Sequence, residues 1–178
     1  MASGTSRAPR TSRAPVVITI VGSIVLVAVL AIAGVVVAPQ IIRAAATEVA
    51  TTDTRITLTS TGATATVPVD EGWSYVVGPF DSATGQLRSP DGALTVDLTA
   101  TSGTDAETAV RDVVGSAVTP FDSEPVGAAR VVHARIVGED AIAGAVVSGD
   151  ALLVFVAHPS TGYEAEIAGL LSRIEVTP

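Results

Sequence analysis

The stretch Leu94-Thr95-Val96-Asp97-Leu98-Thr99-Ala100-Thr101 alternates between apolar and polar side chains without a break. Successive strand residues point to opposite faces of a sheet. Leu94, Val96, Leu98 and Ala100 therefore face a core, and Thr95, Asp97, Thr99 and Thr101 face water. Such a half-buried strand belongs to an antiparallel sheet covered on one side. Ser89-Pro90-Asp91-Gly92, just upstream, has the residue order of a tight turn.

Further upstream, Asp70-Glu71-Gly72 is a turn, and Trp73-Ser74-Tyr75-Val76-Val77 alternates again. Trp73 is the sole Trp and there are just three Phe and two Tyr, so it is expected to fill core volume rather than form a ligand platform. Residues 55–59 and 63–67 alternate on either side of Ser60-Thr61-Gly62, a hairpin signal that Pro68 ends.

Downstream, Thr104-Asp105-Ala106-Glu107 fits a capping box, and Ala106, Ala109, Val110, Val113, Val114 and Ala117 keep helical spacing. Glu107 and Arg111 form an i,i+4 pair. Pro120 and Pro125 bracket a loop. Three strands are then predicted over 129–137, 141–147 and 151–157, turned at Glu139-Asp140 and Ser148-Gly149-Asp150. The third is apolar on both faces and belongs in the middle of the sheet. Thr161-Gly162-Tyr163-Glu164 fits a second capping box, followed by the helical stripe Tyr163, Ile167, Leu170, Leu171 and Ile174. The order is strands, helix, three strands, helix. It predicts an α+β domain over 55–178, an antiparallel sheet packed against two amphipathic helices.

A different signal precedes this domain. No charged residue lies between Arg13 and Arg43, and the stretch opening at Val16 and closing at Ala38 holds only Val, Ile, Leu, Ala, Gly, Thr19 and Ser23. As a helix it measures about 34 Å, enough for a hydrocarbon core of about 30 Å. We expect a transmembrane helix with its extension over 16–46, contacting the lipid bilayer through Val16 to Ala38, and a short tether over 47–54. Ala44-Ala45-Ala46 offers a cleavage site, but the apolar core far exceeds the roughly 7–15 residues of a signal peptide, so an uncleaved anchor is expected. Residues 1–15 repeat Thr-Ser-Arg-Ala-Pro at 5–9 and 11–15 and read as a disordered basic tail. Arg7, Arg10 and Arg13 precede the span and just Arg43 closely follows it, which places the tail in the cytoplasm and the domain outside.

Charge separates the same parts. All eighteen acids lie beyond the span with seven Arg, a net −11 against −8 for the whole chain. An acidic domain is a poor partner for nucleic acid, which needs clustered basic residues. The chain has no Cys, Lys or Asn. That excludes disulfides, thiolate metal sites, Cys nucleophiles, Schiff-base and Walker-type lysines, and N-glycosylation. Abundant Ala, Val, Gly, Thr, Asp and Arg resembles the composition of a high-GC actinobacterium.

Few residues invite a catalytic reading. His133 sits mid-strand on a face with Arg135, and His158 precedes Pro159; neither has the spacing of a metal or catalytic motif. Ser160 lies near His158 in sequence, but no G-x-S-x-G elbow exists. The acidic turns at Asp70-Glu71, Asp81, Asp91, Asp122 with Glu124, and Glu139-Asp140 do not follow a calcium loop and read as solubilising. Pro-Phe-Asp-Ser occurs at 79–82 and 120–123 as two similar loop entries. We assign no catalytic, cofactor-binding or metal residues and expect no cofactor.

The run Val67-Pro68-Val69-Asp70-Glu71-Gly72-Trp73-Ser74, followed by Ser89-Pro90-Asp91-Gly92 with its alternating strand, and then by helix, three strands and helix, resembles the PsbP-like domains of actinobacterial envelope proteins. The resemblance runs from Arg55 to Val176. It implies an antiparallel sheet packed against helices and an accessory or binding role, and it carries over no site residues. The expected function is that of a single-pass, non-catalytic binding or accessory protein of a cell envelope, whose partner is an envelope protein or small ligand. The alternatives are a membrane-anchored hydrolase and a transmembrane regulator acting through its tail.

Overall fold

The computed structural model describes residues 47–78, 81–126 and 129–178. The chain divides into units Met1–Ala45 and Ala46–Pro178. The expected tail and membrane helix lie outside the described residues, as do Pro79 and Phe80 of the Pro-Phe-Asp-Ser pair. Among the described residues no helix is long and apolar enough to cross a membrane.

The second unit is α+β and every strand pairing in it is antiparallel. In chain order the elements are β1 (Glu48–Val49), β2 (Arg55–Ser60), β3 (Ala63–Pro68), β4 (Ser74–Val77), β5 (Thr84–Arg88), β6 (Thr95–Ser102), α1 (Ala106–Val114), β7 (Asp122–Val126), β8 (Ala129–Arg135), β9 (Ile142–Ser148), β10 (Ala151–His158), α2 (Glu164–Leu171) and β11 (Glu175–Thr177). Eight strands form one sheet in the order β1-β4-β5-β6-β10-β9-β8-β7, and three form a second in the order β11-β3-β2.

The quoted alternation behaves as expected. Leu94, Val96, Leu98 and Ala100 are buried, and the residues between them are half-buried. They join Leu153, Phe155 and Ala157 of β10 in the larger core, which the small sheet closes with Ile56, Leu58, Ala65 and Val67 and α2 closes with Ile167, Leu170 and Leu171. Trp73 belongs to this core at 8% exposure, with Tyr75 and Val77 packed beside it. The other face of β10 (Leu152, Val154) joins Val132, Ala143 and Ala145 under Ala106 and Val110 of α1 in a second, smaller core. β10 is thus the central strand its two apolar faces demanded.

Several readings need correction. The expected tether at 47–54 instead opens the domain. Glu48 and Val49 pair with β4, and Ala50 is buried at 2%. Its N–H donates to the Trp73 carbonyl at 2.7 Å, and its carbonyl accepts from the Gly72 N–H at 3.0 Å. Two strand residues and one Ala are too short for a periodic signal. The single expected sheet is two, because β11 is only three residues long and pairs with β3 rather than with its sequence neighbours. β5 carries no sequence signal, because Leu87 is its one fully buried side chain. β7 was read as loop because Pro125 interrupts it. It is an edge strand, where an imide without N–H is tolerated.

Both capping boxes shift. The α1 cap is Asp105, not Thr104: its carboxylate accepts from the Glu107 N–H and from the Thr108 hydroxyl. The helix stops at Val114, short of Ala117, because Gly115 turns left-handed at φ 63°. At α2, Tyr163 occupies the cap position without a side-chain bond to the helix's own N–H groups, and the Thr161 hydroxyl donates to Asp140 instead. Neither half of the box forms: the Thr161 N–H also donates to Asp140, and Glu164 accepts from the Gly162 N–H at 2.9 Å instead. Ile174 is buried beyond the helix end.

Candidate functional site

The pairing register puts Glu124 of β7, Val131, His133 and Arg135 of β8, Ile142 of β9 and Phe155 of β10 on the face that carries the larger core. The small sheet does not reach this corner. α2 covers it from the side, and between helix and strands runs a groove of about 210 Å³. Val126, Val131, Ile142 and Phe155 form the floor, and Ile167, Ala168 and Leu171 form the helix wall. Glu124, His133, Arg135, Ser160 and Glu164 supply its polar groups. Gly144 makes the floor possible. It faces Phe155 and His133 on the two neighbouring strands, and a Cβ there would lie 2.7 Å from Phe155 Cζ and 2.5 Å from the Val132 carbonyl oxygen.

Most polar groups at the groove are already held. His133 Nε2 lies 3.2 Å from Glu124 Oε1. Ser160 is buried, and its hydroxyl donates to Asp140 Oδ1 at 3.0 Å. The same oxygen accepts from the Thr161 hydroxyl at 2.8 Å and from the backbone N–H groups of Ser160 and Thr161. These bonds, that from the Thr161 hydroxyl foremost, hold the Asp140 carboxyl below its ordinary value, since each favours the ionised form. Glu164 is occupied by the Gly162 N–H. Arg135 differs: its backbone N–H bonds Thr119, but its exposed guanidinium has no partner among the described residues.

A second knot of bonds fixes the helix to the sheet. Asp91 accepts from the Ser89 hydroxyl, from Tyr163 Oη at 2.6 Å and from the Ala93 N–H at 3.0 Å. Ser89 first, then Tyr163, pulls its pKa down to about 2. Arg173, just past α2, grips Asp70 with two bonds of 2.6 and 2.7 Å, which holds the Asp70 carboxyl low as well. The turns read as solubilising at Asp70, Asp91 and Asp140 are therefore clamps around α2.

The two His are not brought together. His133 lines the groove, whereas His158 points to the opposite face, 3.7 Å from Asp97. His133 and Ser160 share the groove without bonding to each other. Among the described residues no group of three or more His, Asp or Glu is placed to hold a metal. A wider hollow of about 380 Å³ lies beside α1, but its Asp105 is engaged in the helix cap. Sequence reasoning placed Glu124 in a solubilising turn and missed Val126, although their alternation across Pro125 was an available signal, and it missed the exposed Ala168, which has none.

The fold and groove define an α+β, two-sheet domain with an apolar cleft at one corner. No protein-family model and no curated protein matches this chain.

Proposed function

We propose that this chain is a single-pass binding or accessory protein of a bacterial envelope, with its N-terminus in the cytoplasm and its α+β domain outside. The uncharged stretch from Val16 to Ala38 and the three preceding Arg support the anchoring and the orientation. The observation that carries the binding role is the groove: an apolar floor beside a helix, with its hydroxyl and both its carboxylates engaged in bonds within the domain. Such a cleft offers shape and apolar area rather than a free nucleophile next to a base. The resemblance to PsbP-like domains supports the same accessory role, and the partner is an envelope protein or small ligand rather than nucleic acid.

Topology and processing test the anchor together. In protease-treated spheroplasts the domain should be digested and the N-terminal tail protected, and membrane fractions should yield an intact N-terminus. A mature chain starting near Thr47, or a protected domain, overturns the proposal.

A further inference from the structure

We infer that the groove between α2 and strands β7 to β10 takes a small apolar monocarboxylate, with the carboxylate on Arg135 and the apolar body over Ile142 and Phe155. The inference rests on the binding role proposed above and names its ligand class.

Size sets the first limit. An apolar cavity of about 150 Å³ holds benzene. A groove of about 210 Å³ therefore accommodates a phenyl ring with a short arm, or a chain of comparable volume, and is too small for a helix. Charge sets the second. The rim carries two carboxylates and one guanidinium, and they are not equally available. Glu124 faces His133 Nε2 at 3.2 Å, and Glu164 accepts from Gly162 at 2.9 Å. Arg88, Arg111 and Arg173 elsewhere in the domain each bond a carbonyl or carboxylate. Arg135 has none, and its planar fork matches a carboxylate with two parallel bonds. It stands opposite Ile142 in the strand ladder, which places the cation directly at the edge of the apolar floor. Of the three described Arg whose side chains lack a partner (Arg55, Arg130, Arg135), Arg135 alone lines this groove. A head that satisfies it and a body that dries the floor describe one amphipathic acid.

The full-length chain in phospholipid nanodiscs provides the test, with empty nanodiscs as the blank. Three probes share one body and differ in head charge: 3-phenylpropanoate, 3-phenylpropanamide and 3-phenylpropylamine. Ligand-observed NMR should detect the acid and rank it above the amide and the amine. Arg135→Gln should weaken the acid about tenfold or more, the scale of a lost charge-assisted bond, and leave the amide unchanged. Ala168→Trp should fill the groove and abolish binding of all probes; both substituted side chains are exposed, and circular dichroism should show both variants folded as the parent. An amine that binds at least as tightly as the acid, with sensitivity to Ala168→Trp, overturns the ligand class while leaving the binding role standing. Undiminished acid binding in Arg135→Gln, or in Ala168→Trp, overturns the inference itself.

Discussion

β6 and β10 are neighbours over their whole lengths, yet they meet water differently. On the face shared with the larger core both are dry. On the opposite face Thr99 of β6 stays half-exposed, while its register partner Val154 of β10 is 1% exposed. The cause is α1. It lies over β9 and reaches β10 and β8, but stops short of covering β6, where Thr95, Asp97, Thr99 and Thr101 remain at the surface. Burial in this sheet is a property of what lies above a strand, and each strand's sequence records that cover. β6 alternates because one face is open, and β10 is apolar from Ala151 to Ala157 because both faces are covered there, with the exposed His158 where that cover ends.

The comparison can be broken by substitution, and the largest effects belong to the doubly covered strand. Phe155→Ala should cost about 3–5 kcal/mol, because a 1% exposed ring over Gly144 leaves a cavity that neighbouring side chains cannot refill. Against a total of about 5–15 kcal/mol, chemical denaturation should show a large fall in midpoint. The pair Val154→Asn and Thr99→Asn tests the cover directly. The first buries an amide without partners under α1 and should cost about 2–3 kcal/mol; the second stays solvated and should cost under about 0.5 kcal/mol. Equal costs would refute the role assigned to α1.

A truncation sharpens the boundary. A fragment beginning at Ala46 should melt cooperatively, and one beginning at Thr51 should be less stable by about 2 kcal/mol. It loses the buried Ala50 and the two backbone bonds that tie that residue to Trp73 and Gly72. Asp105→Ala removes the α1 cap and should cost about 1 kcal/mol, read as a lower melting temperature together with exposure of Val154.

The smallest effect concerns the clamp at Asp91. Its ionised form is favoured by the fold, so its contribution is complete above the ordinary carboxylate value of 3.8 and is lost as pH falls through about 2. Asp91→Asn should flatten the acid limb of a stability titration across that window. An unchanged limb would show that the Ser89 and Tyr163 bonds do not persist in solution.

What was legible in the sequence follows the same logic of cover. β6, β8, β9, β10 and the β2–β3 hairpin announced themselves because their apolar residues repeat over enough positions to register a period. β5 and β7 did not, since one has a lone buried Leu87 and the other a Pro, and β1 and β11 are two and three residues long. The groove was illegible for a different reason. It depends on which strand α2 leans against and on where the small sheet ends, and both are set by the pairing of β11 with β3, a long-range contact that no local pattern encodes. The notable polar residues were visible, but their partners were not: Ser160 looked like a loose neighbour of His158 and is bound to Asp140 instead.

The pairing of β11 with β3 also orders events in time. Thr66 waits for Glu175, and Ala65 for Val176, so the inner edge of β3 stays open while almost the whole domain is being made. Until then the β2–β3 hairpin presents unpaired backbone groups, the kind of edge that other chains can join. A chain that emerges N-terminus first therefore completes its small sheet last, and Val176 shuts the larger core from the far end of the polypeptide. Under the export proposed above, a passenger closed last by its final strand would stay loose during passage and commit to its fold once that strand arrives.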